Sequence, residues 1–533
     1  MAKYDTAIIG GGHNGLVCAF YLAKAGRRVV VLERRSVVGG AAVTEEFHPG
    51  FRNSLASYTV SLLNPKVIRD MGLKERGLRF IKRPVANFLP IDQERYLKVG
   101  GGLERTQAAF AEFSESDARR LPEYYRRIDA VADVLRQLAE TRPPKISGGL
   151  SALLKLAWQV RDVLRADLEV QNDLYDLMTK SARSFLDGWF ENEHVKAVFG
   201  FDAVVGNYAS PDTPGSAYVL LHHVFGELDG EKGAWGHALG GMGAITQTMA
   251  QACLEHGVEI RTDAEVAHVA IRDKAVTGVV LTSGELIEAH SVAANVTPKM
   301  LYQQLISPED VPNDFAQKIA STRYGSGTFR LNVALSELPD FTCLPGTDLQ
   351  EHHQSGIIMA PTLGYMDRAF LDAKQQGWAN KPIVEMLIPS TIDDSLAPEG
   401  QHVCSLFCQQ FAPTLSAGQS WDDLKPKAVE AIVSVVSSHA PNFKASILGM
   451  RVLSPLDLER ELGLTGGDIF HGAMTLDQLW AARPVFDYGD YRAPIRGLYH
   501  CGSGAHPGGG VTGLPGKNAA EVIVGDSRRI GEP

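Results

Sequence analysis

Four glycines crowd the run AIIGGGHNGLVCAFYLAKAGRRVVVLERR, which begins at Ala7: Gly10, Gly11, Gly12 and Gly15. They lie between a short apolar strand, Thr6 to Ile9, and a segment in which Leu16, Ala19, Phe20 and Ala23 recur on one helical face. Gly10, Gly12 and Gly15 fit the GxGxxG spacing, which brings a diphosphate to the unpaired N–H groups of a helix start. In such a turn Gly10 permits the tight bend, Gly12 admits the diphosphate and Gly15 lets helix and strand pack closely. Gly26 is placed to end the helix, and Val29 to Leu32 reads as a second buried strand. Glu33 closes that strand, where an acid takes the hydroxyls of a ribose that carries no 2′-phosphate. A β-α-β dinucleotide-binding unit is expected.

After Glu33 comes RRSVVGGAAVTEE, an E-x5-G-G extension ending in Gly39 and Gly40. It resembles the stretch that passes beside the cofactor in FAD-binding Rossmann units of the glutathione-reductase-like type. His13, Asn14, Arg34 and Ala41 flank these glycines and complete the cofactor-binding set expected at this end. No second GxGxxG follows another strand, so FAD alone is expected, without a dedicated NAD(P)H domain.

The wider chain narrows the function classes. Its 533 residues carry a net charge of -10 with no block of like charge. That argues against a nucleic-acid partner, because binding phosphates needs a basic surface. Six cysteines, Cys18, Cys253, Cys343, Cys404, Cys408 and Cys501, form no C-x-x-C pair and no zinc-type spacing. Cys404 and Cys408 stand on one face of a strand or helix, so no metal is expected, and a reducing compartment is. The chain enters a strand at once, so no secretory leader is expected, and it holds no run of about eighteen apolar residues. A cytoplasmic, bacterial setting is expected. The oligomeric state is not legible.

The elements that must position these residues come in pieces. Gly102 to Asp229 reads mostly helical, with a break at RPPKISGG. GGMGAITQTMAQACLEHGVEI returns to a helix-then-strand pattern, and VAHVAIRD with AVTGVVLTSGELIEA reads as hairpins. A final strand, GLYHCG, leads into SGAHPGGGVTGLPGKNAAEVIVGD, a second glycine-rich turn feeding a helix. The expected fold is α/β, α+β overall, with a discontinuous glutathione-reductase-like Rossmann FAD-binding domain from residues 1–90, 230–300 and 480–533. A helical insertion or substrate lid is expected at 91–229, and a mixed substrate-binding domain at 301–479.

YDTAIIGGGHNGLVCAFYLAKAG with VLERRSVVGGAAVTEEFHPGF resembles the start of the phytoene desaturase superfamily of flavoproteins. GAWGHALGGMGAITQTMA, GGDIFHGAMTLDQLW and GLYHCGSGAHPGGGVTGLPGKNAAEVI are similar to the branch that holds the pyridine nucleotide-disulfide oxidoreductase domain-containing proteins. The resemblance spans nearly the whole chain. It implies a fold of the amine oxidase and carotenoid desaturase kind, with the backbone near Val266 against the adenine. It also places the turn carrying Gly502, Ser503, Gly510 and Val511 at the flavin end, and aims the helix start near Gly513 at the isoalloxazine. Disulfide chemistry is not expected, because Cys18 has no partner in the N-terminal unit.

The implied function is an FAD-dependent oxidoreductase that exchanges hydride between flavin N5 and a small hydrophobic substrate, a polyene, isoprenoid or lipid-like molecule. Two alternatives stand beside it. One is an FAD-dependent amine oxidase, which the lack of an aromatic-cage signature near the C-terminus disfavours. The other is a regulatory flavoprotein or lipid-binding protein on the same fold, as in the prenyl-binding GDP-dissociation inhibitors.

Individual residues carry two readings each. His506 in GAHPGG is the catalytic candidate, as proton donor or substrate polariser; otherwise it is a turn residue satisfied by backbone. Tyr58 either lines the substrate channel or packs in the core, and His471 is equally open. LSALLKLAWQVRDVLR sets Leu150, Leu153, Ala157, Val160 and Leu164 on one face, with Lys155, Arg161 and Arg165 interleaved. It is an interfacial helix making peripheral membrane contact, or a helix covering the substrate domain's core; the second reading is favoured.

Overall fold

The computed structural model describes residues 3–222 and 224–530. β1 (Tyr4–Ile9), α1 (His13–Lys24) and β2 (Val29–Leu32) make the expected β-α-β unit, with β1 and β2 parallel and Ile9 opposite Leu32. β2 is buried throughout and β1 almost so, which is why both read as unbroken apolar runs. A hairpin follows, β3 (Asn87–Pro90) and β4 (Tyr96–Val99), then a helical region that includes α2 (Glu115–Glu140) and α3 (Leu150–Arg165). α4 (Met242–Glu255) runs into β5 (Glu259–Arg261), which adds in parallel to the outer edge of β2. β6 (Val266–Arg272), β7 (Ala275–Leu281) and β8 (Leu286–Ala294) form an antiparallel meander. β8 serves two purposes: its first residues pair with β7, while Ala289 to Ala294 run parallel to β1.

The second sheet is built from β9 (Phe329–Leu335), β10 (Gly356–Met359), β11 (Trp378–Leu387), β12 (His402–Phe411) and β13 (Ile447–Leu453). Its order is β13-β9-β12-β11-β10-β3-β4, antiparallel except where β10 meets β3. The chain therefore passes from the nucleotide-type sheet to the second sheet before residue 87, ahead of the boundary read at residue 90. β14 (Leu498–His500) returns to pair in parallel with β8, and α5 (Leu514–Ile530) ends the described chain.

α1, α4 and α5 cover one face of the parallel sheet, burying Leu16, Phe20, Met249, Val522 and Ile523 in one core. Contact between α1 and α5 is close. A Cβ on Gly516 would lie 2.1 Å from the carbonyl oxygen of Asn14, so only glycine lets the two helices meet there.

α3 corrects a reading. Leu150 is 75 % exposed and Trp158 59 %, and Leu154 and Leu164 are equally open, so this stripe does not cover a core. The side chains of Leu153 and Lys155 lie outside the described residues. No helix among the described residues is long and apolar enough to cross a membrane.

A buried polar tie joins the two sheet systems. The Asp393 carboxylate accepts hydrogen bonds from His237 Nε2 at 2.8 Å, the Gly240 N–H at 2.7 Å and Ser395 Oγ at 2.6 Å. Burial alone would raise its pKa, but these donors win and hold it at about 2. A depressed carboxylate pKa contributes stability above its unfolded value that is lost as pH falls through the folded one. Asp393→Asn is therefore expected to cost about 2 kcal/mol near neutrality. It should also flatten the loss of stability between about pH 4 and pH 2, read from denaturation midpoints against pH.

Candidate active site

The first glycine turn sits at the carboxyl ends of β1 and β2, where parallel α/β sheets hold their ligands. The Gly10 N–H donates to the Leu32 carbonyl (2.8 Å) and the Gly39 N–H to the Gly11 carbonyl (2.9 Å), so the E-x5-G-G segment folds back onto the turn. Asn295, the residue after β8, donates from Nδ2 to the Gly10 carbonyl at 3.1 Å. The second turn closes against the same residue, since a Cβ on Gly502 would stand 2.9 Å from the Asn295 carbonyl oxygen. Asn295 thus ties together two glycine turns almost 500 residues apart in sequence. Glu33 is buried at the end of β2 and accepts from the Gly11 N–H (2.8 Å) and the Arg35 N–H (3.0 Å).

The expected cofactor residues gather in two adjoining spaces. Gly10, Gly12, His13, Glu33, Arg34, Gly40, Ala41, Val266 and Ser503 line one cleft. Gly510 and Val511 line a second, inner cavity, which shares His13, Ala41, His471 and Ser503 with the first. Asn14 stands behind them with Nδ2 donating to Ser503 Oγ at 3.1 Å, while Gly15 lies under Gly10 and Gly39 backs onto Gly11.

Several polar atoms here are buried without a protein partner among the described residues: His13 Nε2, Asn14 Oδ1 and His471 Nδ1. A buried polar group left unpaired costs about 1–3 kcal/mol, so a cluster of them at one cleft calls for a polar ligand. Burial lowers the pKa of His13 to about 4 and that of His471 to about 3, so both rings are neutral and able to hydrogen-bond either way. His471 (φ 58°) and Val511 (φ 59°) are non-glycine residues in the left-handed region, and both border the inner cavity. Backbone strain of this kind gathers where a ligand is clamped. The cradle fits a polar, extended dinucleotide.

Past Leu62 the inner cavity adjoins a larger one of about 570 Å³, lined by Leu135, Leu138, Leu174, Met178, Phe225 and Leu479 among others. His506 faces this larger space, and its Nε2 meets the Leu138 carbonyl of α2 at 3.0 Å. Its own carbonyl accepts from the Tyr491 hydroxyl at 2.8 Å, so both ring and backbone of His506 are engaged. Burial lowers its pKa to about 4. Tyr58 lines the inner cavity and donates its hydroxyl to Glu385, while the Arg330 guanidinium lies 4.5 Å from its ring centre.

Arg483 is a residue that sequence reading passed over. Its guanidinium is 2 % exposed and donates to the carbonyls of Ser503 (2.9 Å), Gly472 (3.3 Å), Gln478 (3.2 Å) and Phe470. The only signal for it was an arginine within an otherwise apolar stretch.

The sequence profile of the flavin containing amine oxidoreductases matches residues 15–329. The chain belongs to this family. Pyridine nucleotide-disulfide oxidoreductase domain-containing protein 2 of Rattus norvegicus is 41 % identical over 99 % of this chain and 94 % of its own. A limonene dehydrogenase component of Castellaniella defragrans is 24 % identical over 98 % of this chain and 94 % of its own. The lycopene-forming phytoene desaturase of Pantoea ananas is 26 % identical over 97 % of both. Among solved structures, putrescine oxidase bound to putrescine covers 99 % of both chains with a TM-score of 0.61 at 15 % identity, which shows a common fold. This member of the flavin containing amine oxidoreductases is an FAD-dependent oxidoreductase of the amine oxidase and desaturase superfamily.

The disulfide in the rat relative's name has no counterpart here. All six cysteines are buried free thiols. Cys18 does meet a second cysteine, which its sequence surroundings did not reveal: Cys501 comes against it across the α1 packing, and this contact together with burial holds the Cys18 thiol well above its usual pKa. A thiol so held has little thiolate character, the form that attacks.

Proposed function

We propose that this protein oxidises or reduces carbon–carbon bonds of a small, uncharged, isoprenoid-like substrate seated in the 570 Å³ apolar cavity. That cavity is the observation that carries the reading: seven leucines with Met178, Phe225 and Trp480 make its apolar wall, Lys66, Arg69, Arg136, Glu140 and Glu227 also border it, and it adjoins the inner cavity at Leu62. The names of the limonene and phytoene relatives, which align along nearly the full chain, support the same substrate class.

Within this reading Gly10, Gly12 and His13 would hold the FAD diphosphate, Glu33 the ribose and the backbone near Val266 the adenine. Ser503, Gly510, Val511 and His471 would border the flavin. When bound, the flavin supplies a two-electron hydride acceptor or donor. The chain's own residues exclude water, and the apolar walls keep the reacting carbon against one face of the inner cavity. Amine oxidation on the same fold is the reading that the test below sets against it.

The test is anaerobic mixing of the yellow holoprotein with limonene or phytoene in detergent micelles, and separately with putrescine or cyclohexylamine. Bleaching of the flavin bands by an isoprenoid and not by the amines is expected. Bleaching by the amines alone overturns the reading.

A further inference from the structure

We propose that Tyr58 carries protons between the inner cavity and the buried carboxylate of Glu385, with Tyr58 as a catalytic residue and Glu385 as the group that positions and reloads it. This rests on the isoprenoid oxidoreductase reading above.

Three strands of the second sheet set the pair in place. Glu385 on β11, Phe407 on β12 and Arg330 on β9 are directly opposed in register and form one row across the sheet. Tyr58 lies on that row. Its ring stands 5.3 Å from Phe407 and 4.5 Å from the Arg330 guanidinium, and its hydroxyl donates to Glu385 Oε2. The same ring lines the inner cavity beside His13, His471 and Ser503, where the two glycine turns converge. Glu385 is 7 % exposed and does not border the cavity, so Tyr58 is its link to that space.

The charged surroundings suit a proton store. Arg330 is 1 % exposed; its Nη2 donates to Ser405 Oγ at 2.8 Å, and its Nη1 has no hydrogen-bond partner among the described residues. Arg83 and Asp202 are the other charged groups that act on the pair, and Cys404 and Cys408 lie by Arg330. Burial raises the pKa of Glu385, while Arg83, the Tyr58 hydroxyl and Arg330 pull it part of the way back. Burial and the nearby Glu385 drive the Asp202 pKa well up, which keeps a second negative charge off the site. A carboxyl group moved toward neutral pH is tuned for proton transfer.

A phenol held neutral by burial cannot keep a proton taken from carbon, but it can pass one on. In desaturation, a bound flavin would serve as the two-electron oxidant that takes hydride from one substrate carbon. The C–H bond of the neighbouring carbon breaks, its electron pair forms the new double bond, and its proton goes to Tyr58 Oη. At the same time the Tyr58 O–H proton passes to Glu385 Oε2. Two electrons leave the substrate with the hydride, Tyr58 ends unchanged, and Glu385 ends as the neutral acid. Saturation runs the same transfers backwards.

The test is an infrared pH titration of the FAD-loaded protein, with Tyr58→Phe and Glu385→Gln. Wild type should show a carboxyl band that titrates above the ordinary carboxylate range and vanishes in Glu385→Gln. In Tyr58→Phe its midpoint should move up by about one pH unit, because the hydroxyl that favoured the carboxylate is gone. With limonene as probe, Tyr58→Phe should slow flavin bleaching by roughly 10²–10⁴-fold, with FAD content unchanged, and Glu385→Gln should flatten its pH dependence. A Glu385 that stays ionised from about pH 5 to about pH 9, as an ordinary carboxylate does, overturns the proposal. So does a Glu385 midpoint indifferent to Tyr58→Phe, or a Tyr58→Phe enzyme bleached at the wild-type rate. Absence of bleaching by any isoprenoid in wild type counts against the substrate reading instead, and the infrared titration still decides the pair.

Discussion

Gly15→Ala is expected to purify as colourless protein. A Cβ at this position would lie 2.2 Å from the Gly10 carbonyl oxygen and 3.0 Å from Asn295 Nδ2. Neither neighbour can yield cheaply. The Gly10 carbonyl is fixed at the end of β1 and already accepts from Asn295, and Asn295 is itself packed against the second glycine turn. The start of α1 must therefore move away from the strand, and the N–H groups that face the cleft move with it. Overpacking of this kind costs about 1–3 kcal/mol of stability. The larger effect falls on the cofactor: an FAD affinity lower by roughly 100-fold corresponds to about 2.7 kcal/mol. Gly26→Ala is the control. Gly26 has φ 83° but no atom within 4 Å of an added methyl, so about 1 kcal/mol of stability should go while the yellow colour stays. Flavin absorbance per protein and a fluorescence titration of the apoprotein with FAD read both effects. An alanine at position 15 that binds FAD as tightly as glycine would remove the close-packing role given to this turn.

What the sequence made legible at this site is what short-range constraint dictates. The glycines of the first turn, the stop at Gly26 and the strand ending at Glu33 are each decided within a few residues by backbone geometry. Asn295 was not legible, because its value comes from β8 lying against β1, a pairing across 285 residues. Tyr58 stood out, but its partners did not: Glu385 and Arg330 meet it only through the register of three strands in a segment whose pattern mixes helix and strand. The hairpin at β3 looks local, and the parallel pairing of Asn87 and Phe88 with Gly356 and Ile357 is what carries it into the second sheet. The α3 stripe was visible as a stripe, yet helical period is the same whether the apolar face meets a core or solvent, and here Leu150 and Trp158 face solvent. His506 lies in a turn, and its ring partner, the Leu138 carbonyl, belongs to a helix far back in the chain.

The largest loss of stability is expected from Arg483→Met. The Arg483 side chain and Asp468 divide one loop's backbone between them. Arg483 donates to the carbonyls of Phe470, Gly472, Gln478 and Ser503, while the Asp468 carboxylate accepts from the N–H groups of Gly325, Phe470 and Gly472. The loop holds His471, and Ser503 belongs to the turn that runs to Val511, so this one arginine seats two sides of the inner cavity. Methionine fills much of the volume but leaves several buried carbonyls without a donor and the buried Asp468 carboxylate without its neighbouring positive charge. The expected cost is about 3–5 kcal/mol, in the range for removing one partner of a buried charged cluster. Arg483→Lys should recover part of it, since an ammonium has three donors against the five of a guanidinium and no planar fork to span separate carbonyls. Asp468→Asn together with Arg483→Met should cost less than the sum of the two, because the second change removes a charge that the first had stranded. Denaturant unfolding of the four proteins measures the coupling, and the fluorescence of bound flavin reports whether the turn has loosened. If Arg483→Met unfolds at the wild-type midpoint and keeps its flavin signal, the turn is seated by its own glycines, and the buried arginine is only filling space.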